Sequence, residues 1–335
     1  MTTPSNSRKS ISVVIPNYNG KHLLERNLPS VYKALNNTKI DFEIIIVDDF
    51  STDNSTIFIT QNYPLVNLIT NEKNHGFSFS CNKGIAIANK ELVLLLNTDI
   101  ELNSNFFESQ FKFFDLPDTF GVMSKIIGAK NGETQDTARF LKYSGFKIKA
   151  NNFFHLENED FLTPTAYLSG ANALIDTKKL KDIGGFDEIF SPFYCEDFEL
   201  GLRAWRLGWK CYYDPKSYCI HDHTSTTKNY RTQNWVKAIF FRNRLYVHKI
   251  HLNSIHLACW YLQIIFFDML FMWIGLKFYY YKSFAMFLNN QHPARQSRKN
   301  LKELMINHQS TISIDDVIKK MNGMVEGQTI IFKRN

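Results

Sequence analysis

Three groups of side chains in this chain are typed and spaced for chemistry. Acids close two apolar runs. In "FEIIIVDDFSTDNS" (42–55) an Ile/Val run ends in Asp48 and Asp49, and in "LVLLLNTDIEL" (92–102) five apolar residues lead into Asn97-Thr98-Asp99. A second acidic pair, Glu196-Asp197, opens the amphipathic stretch "EDFELGLRAWRLG", and His221 and His223 alternate in "YCIHDHTST". Carboxylates at strand ends hold cations or hydrogen-bond a ligand; a carboxylate beside a cleft can serve as a general base. Alternation puts both histidines on one side of a strand, where one can add a metal ligand. Each group also has a bland reading: a turn after a strand, dipole compensation at a helix start, a structural histidine. Several strands ending in polar or acidic groups at one rim favour a site over turns.

The elements that must position these groups alternate in type. "ISVVIP" (11–16) is a β-branched run closed by proline and predicts a buried strand. Leu24, Leu28, Val31 and Leu35 recur at helical spacing, with Pro29 predicting a kink or a helix start. The run ending at Asp48 predicts a second strand, followed by Ser, Thr and Asp suited to cap a helix. A third strand is expected over 65–70, a helix over 81–88, and a fourth strand in "ELVLLLNTD". Such alternation implies an α/β fold, an open and mainly parallel sheet with helices on both faces. Ligands of these sheets sit outside the carboxyl ends of the strands, which is where Asp48, Asp49 and Asp99 fall.

Beyond residue 100 the pattern loosens. Stretches 121–128 and 166–175 read as strands, and the Asn-rich 149–161 as loops. Residues 196–207 predict a helix with Phe198, Leu202 and Trp205 on one face and Gly208 as its stop. The aromatic "IFSPFYC" before it predicts a cleft wall, and Gly184-Gly185 a tight turn.

Composition sets the class. The 335 residues are 44% hydrophobic and 21% charged, enough for one large core or two smaller ones. Five cysteines without a CxxC pair argue against a zinc ribbon or a disulfide framework and for a reducing compartment. The polar start "MTTPSNSRKS" has no apolar run behind it, so the expected location is the cytoplasm or a membrane face open to it. Net charge is +7, but 224–335 carries +11 and the rest −4, which points to an anionic surface as partner.

A response-regulator receiver shares acidic strand ends, with Asp99 as a phosphoacceptor. A receiver, however, would begin near Asp48 and leaves everything beyond about residue 150 unexplained. The order of motifs instead resembles the inverting glycosyltransferases of family 2, with the GT-A fold, over 11–246: "VVIPNYNG", "IIIVDDFSTDNS", "NHGFSFSCNKGI", "LLLNTD", "LSGANALI", "IGGFDEIFSPFYCEDFELGLRAWRLGW" and "YCIHDHTS". It is most similar to enzymes that transfer sugars, often rhamnose, in building bacterial surface polysaccharides.

That resemblance implies a GT-A-like domain over 11–228, with a nucleotide-binding half (11–100) and an acceptor half (101–228); the residues around it read as a flexible start (1–10) and a helical, basic extension (229–335) suited to a membrane surface. It implies that Pro16, Tyr18 and Asn19 line a nucleotide pocket, with Asp48, helped by Asp49, holding the base. Asn74, Gly76, Asn82 and Lys83 would border the ribose and sugar. Asn97, Thr98 and Asp99 take the place of the family's Asp-x-Asp motif, where Mg²⁺ or Mn²⁺ meets the donor diphosphate. Asp197, beside Glu196, matches the catalytic base, and His221 rather than His223 matches a metal ligand. Asn97 departs from the pattern: a neutral carbonyl replaces a carboxylate, which lowers the expected metal affinity. A sugar-nucleotide-binding or scaffold protein without turnover is the alternative it leaves open.

The final third carries "LACWYLQIIFFDMLFMWIGL" (257–276), twenty residues, long enough to span a hydrocarbon core. Asp268 in its middle weighs against a span. Helices lying on the inner face of the cell membrane are the preferred reading, ahead of a buried layer or an oligomer contact. "QHPARQSRKNLK" (291–302) adds charge for phosphates of lipids or of a lipid-linked glycan acceptor. No nucleic-acid motif accompanies the charge, so no nucleic acid is expected.

Overall fold

The β-branched runs can bury both faces only at the centre of a sheet, and that is where they lie. The computed structural model describes residues 9–150, 152–222 and 232–333. Its first hundred residues run β1 (Ile11–Asn17), α1 (Lys21–Thr38), β2 (Phe42–Asp48), α2 (Ser55–Asn62), β3 (Asn67–Thr70), α3 (Phe77–Ile87), β4 (Leu92–Leu96) and β5 (Ile100–Leu102). β1 pairs in parallel with β2 and β4, and β2 with β3. Every residue of β4 is buried. The register sets Asn17 opposite Asp48, so the polar strand ends share one rim.

The second half extends the same sheet. β6 (Thr119–Gly128) is followed by short strands β7 (Thr134–Asp136), β8 (Ala138–Arg139), β9 (Lys142–Ser144), β10 (Lys147–Lys149), β11 (Phe153–Leu156) and β12 (Thr163–Pro164), then β13 (Asn172–Asp176) and α4 (Thr177–Asp182). α5 (Glu196–Arg206), β14 (Lys210–His221) and α6 (Gln233–His251) follow. The order across the sheet is β3-β2-β1-β4-β13-β6-β14-β12, with β13 antiparallel to β4 and β6. The sheet is therefore mixed, parallel across β3-β2-β1-β4 and antiparallel where β13 joins it.

Three expectations shift. Pro29 neither starts nor ends a helix: α1 is continuous from Lys21, whose amide donates to Asp53 Oδ2 at 2.8 Å in place of a local cap. The expected strand over 166–175 is confined to Asn172–Asp176, leaving 166–171 as coil along the cleft. The stretch read as loops contains β11, which pairs with β8 and with β15 (Ile330–Lys333) from the far end of the chain. No local pattern reveals a partner that distant. His223 lies outside the described residues.

Behind α6 the chain is helical, and its apolar residues Leu245, Trp260, Phe287, Leu301 and Val317 join the core cluster that holds Val14 and Trp205. One helix, Ser254–Ile274, is long and apolar enough to cross a membrane by length and composition, yet only 11% of its apolar window is buried. Trp260, Ile264 and Asp268 face inward at successive fourth positions. Asp268, 9% exposed, is paired with Lys147 Nζ at 2.5 Å. A π-helical stretch, Ile264–Asp268, occupies the middle of the helix. With the acid turned in, the outer face is apolar throughout, including Phe266, Phe267, Leu270, Phe271 and Trp273.

Candidate active site

A cavity of about 370 Å³ opens at the carboxyl ends of β1 and β4. β1 supplies Pro16 and Tyr18, the turn after β2 supplies Asp49, and the loop before α3 supplies Gly76. The turn after β4 adds Asn97, Thr98 and Asp99, with His221 of β14 beside Asp99, and Glu196 and Asp197 of α5 complete the lining. Ten of the expected site residues thus line one cavity.

Five others lie off the wall, and Asp48, Asn19 and Asn82 among them hold the loops around it. Asp48 accepts from Asn17 Nδ2 at 2.7 Å and from the Ser51 amide at 2.9 Å. Asn19, with φ 50°, accepts from the Thr52 amide at 2.7 Å. Asn82 clasps Phe186, donating to its carbonyl at 2.9 Å and accepting from its amide at 2.8 Å. Lys83 lies over the Phe79 ring at 5.5 Å, and Asn74 is off the cavity wall. Asp49 takes the amides of His75 and Gly76 at 2.9 and 2.7 Å, so it fixes the loop as well as facing the cavity. Gly76 has φ 92°, and a Cβ there would meet the Pro192 backbone at 3.2 Å. Only glycine suits that crossing.

The acid pair sits behind a strained turn. Tyr194 and Cys195 both have positive φ, 77° and 71°, a conformation costing about 1–3 kcal/mol per non-glycine residue. Asn243 on α6, 0% exposed, is placed to hold it: Nδ2 reaches the carbonyls of Phe190, Phe193 and Tyr194 at 2.6, 2.9 and 2.8 Å. Its Oδ1 accepts from Arg242, whose Nη2 also donates to the Ser191 carbonyl at 2.5 Å. Sequence reasoning missed Asn243, because a polar residue in a long helix carries no local signal of a partner fifty residues upstream. Asn243→Ala is expected to cost about 2–3 kcal/mol by stranding buried carbonyls, read as a lower denaturant midpoint at unchanged m-value.

α5 itself is held closely. Leu202 and Trp205 are buried, Trp205 Nε1 donates to the Thr165 carbonyl at 2.9 Å, and Gly201 lets the helix ride on the Ala166-Tyr167 backbone. Burial raises the pKa of Glu196, and the Asp197 charge raises it further. Burial also raises Asp197, but the amides of Phe198 and Gly170 counter it. Glu196 Oε2 is buried with no hydrogen-bond partner among the described residues. The pair's shared proton therefore rests on Glu196, and Asp197 is the carboxylate poised to ionise.

A cation fits the corner between β4 and β14. His221 Nδ1 lies 2.7 Å from Gln135 Oε1, an acceptor, so Nδ1 is the donor there. Nε2 faces Asp99 Oδ2 at 3.2 Å. Asp99 Oδ1 is buried with no hydrogen-bond partner among the described residues. Both features are satisfied by a positive charge between the two side chains. Among the described residues no cluster of three protein ligands forms, so remaining positions on an ion would fall to substrate oxygens and water.

Fold and cavity together define a GT-A type protein, a mixed, mainly parallel α/β sheet with a cavity at the carboxyl rim of its parallel strands. The chain belongs to glycosyl transferase family 2, whose domain matches residues 12–184, and so to a family of nucleotide-sugar-dependent transferases. It is 26% identical over 232 residues to chondroitin synthase of Escherichia coli, covering 61% of this chain and 33% of that protein. It is 24% identical over 243 residues to N-acetylglucosaminyl-diphospho-decaprenol L-rhamnosyltransferase of Mycobacterium tuberculosis, covering 65% of this chain and 77% of that one. Among solved structures, GalNAc-T7 with UDP, GalNAc and Mn²⁺ superposes with a TM-score of 0.61 at 16% identity, over 96% of this chain and 58% of that one, which shows the fold.

Proposed function

We propose that this chain transfers a sugar, with inversion, from a nucleoside-diphosphate donor to a hydroxyl of a lipid-linked glycan in cell-surface polysaccharide synthesis. One observation carries the reading: Glu196 and Asp197 lie in the wall between the donor cavity and a second pocket, so a base stands between two binding spaces. Asp197 takes the proton of the acceptor hydroxyl as that oxygen attacks the anomeric carbon. The bond from that carbon to the diphosphate oxygen breaks on the opposite face, and the nucleoside diphosphate leaves. Asp99 and His221 would hold a Mg²⁺ or Mn²⁺ ion, which offsets the charge of the departing diphosphate. Pro16, Tyr18 and Asp49 face the nucleotide end, with Asp48 and Asn19 bracing them. A lipid-diphosphate acceptor is what the mycobacterial relative's name describes, and it suits a chain with an exposed apolar helix.

The test is a thermal-shift titration with UDP, dTDP, GDP and CMP, each with and without Mn²⁺. A ligand that binds only the folded state raises its apparent stability. A shift selective for one nucleotide and larger with Mn²⁺ is expected; well-folded protein that no nucleotide shifts would defeat the reading.

The same proposal places the chain on the inner membrane surface. The apolar face of Ser254–Ile274 adjoins exposed Lys277 and Lys282, and Arg295, Lys299 and Lys302 are exposed on the helix Gln291–Asn307. Apolar insertion beside basic charge is the chemistry of an interfacial helix. Phe266 and Phe271 are 63% and 65% exposed. Replacing both by Asp should remove about 3 kcal/mol of insertion, roughly a hundredfold in binding to phosphatidylglycerol vesicles by flotation. Unchanged flotation would assign the face to another protein surface.

A further inference from the structure

The second pocket, about 230 Å³, begins where the donor cavity ends, at Tyr194, Glu196 and Asp197. Its far wall is cationic, with Arg139, Lys149 and Arg244. Arg139 is already taken by Asp136 at 3.1 Å. Among the described residues, neither Lys149 nor Arg244 has an acidic side chain within ion-pair distance, and Asp268, the nearby acid, is held by Lys147. Burial lowers the pKa of the Lys149 amine, and the charges of Arg244, Lys147 and Lys142 push it the same way. The same lining carries the carboxyls of Asp136, Glu196 and Asp197, but Asp136 is taken by Arg139, and cations held without an ion pair lower their energy by taking an anion.

The strand that forms this wall also reaches the apolar helix. Ile148 and Lys149 of β10 line the pocket, while Lys147 on the same strand pairs with Asp268 of Ser254–Ile274. The hairpin next to it is tied to that helix as well, through the Phe146 amide and Gln263 Oε1 at 2.7 Å. The pocket wall is thus joined to the inward side of Ser254–Ile274, whose other side is the exposed apolar face.

We propose that the second pocket is the acceptor site and that Lys149 and Arg244 bind the diphosphate of a lipid-linked acceptor. The sugar hydroxyl then lies at Asp197, and the lipid tail leaves across the outer face of Ser254–Ile274. The assignment rests on the transferase reading above. The donor's own diphosphate has a separate place, on the Asp99–His221 side, so the two anionic groups do not compete.

The test uses the full chain and farnesyl diphosphate as probe, by calorimetric titration with Mn²⁺ and a saturating amount of whichever nucleotide the thermal-shift panel selects. Saturable binding is expected in the presence of nucleotide, at least about tenfold weaker in the double variant Lys149→Gln/Arg244→Gln, with nucleotide affinity unchanged. Inorganic pyrophosphate should bind more weakly than farnesyl diphosphate, and farnesol should not discriminate the variant from the parent chain. Equal affinity of parent and variant for farnesyl diphosphate would overturn the assignment. So would its full displacement by nucleotide, which would place it in the donor cavity. Pyrophosphate binding as tightly as farnesyl diphosphate would remove the lipid from the proposal. If no nucleotide binds, the transferase reading fails separately, and the farnesyl diphosphate titration without nucleotide still decides whether these cations hold a diphosphate.

Discussion

Asp197→Asn should lower sugar transfer by about 10²- to 10⁴-fold, the usual contribution of a positioned general base. Nucleotide affinity should stay within about twofold, because the lost interaction is made only as the acceptor is deprotonated. Equal loss of binding and turnover would mean that Asp197 shapes the cavity instead. The pH profile supplies a second reading. Burial raises the Asp197 pKa, and the group works only when ionised. Transfer is therefore lost as pH falls through a range above the ~4 of an ordinary aspartate, and the acid limb should lie there.

Glu196 separates the roles within the pair. With the shared proton on Glu196, its carboxyl is already neutral while Asp197 titrates. Glu196→Gln should then keep most of the transfer and leave the acid limb in place. Its effect on stability has the opposite pH sense. A buried acid with a raised pKa binds its proton more tightly folded than unfolded, so it stabilises below the unfolded pKa and loses that contribution as pH rises through the folded one. The Gln variant, having no proton to lose, should melt higher than the parent chain on the alkaline side.

What was legible in the sequence was local. The apolar runs into Asp48-Asp49 and Asn97-Thr98-Asp99 declare strands that end in polar groups, and parallel pairing brings such ends together whatever the loops do. Glu196-Asp197 before Phe198, Leu202 and Trp205 declares a helix start. What was hidden depends on partners far along the chain. α3 starts at Phe77 rather than near Cys81, because Pro192 accepts the Phe77 amide and Asp49 holds the two amides before it. The "FSFS" alternation gives no hint of that. Asn243 is a helix-interior amide until the strained turn it clamps is seen. Asp268 weighs against a membrane span in the sequence, where hydropathy counts a charge without its direction. The fold turns it onto Lys147 and leaves the outer face apolar.

Asp99→Ala should abolish the Mn²⁺-dependent part of nucleotide binding, a loss of at least the ~10- to 100-fold seen when a metal's outer-shell partners are removed. The argument is one of satisfied and unsatisfied atoms. Gln135 fixes the His221 ring so that Nε2 faces Asp99, and Asp99 Oδ1 has no hydrogen bond among the described residues. Without an ion, a proton on His221 would close the 3.2 Å contact as a simple ion pair. The two cases differ in a titration: with an ion, Mn²⁺ tightens nucleotide binding in the parent chain and has no effect in Asp99→Ala. With an ion pair alone, Mn²⁺ changes neither. Asn97 refines the expectation, because it lines the same wall as a neutral group. Asn97→Asp adds a unit of ligand charge beside Asp99 and should lower the Mn²⁺ concentration needed for half-maximal tightening. A variant that instead loses nucleotide affinity would show that the added carboxylate meets the diphosphate rather than an ion, and that Asn97 is neutral here to let the phosphate approach.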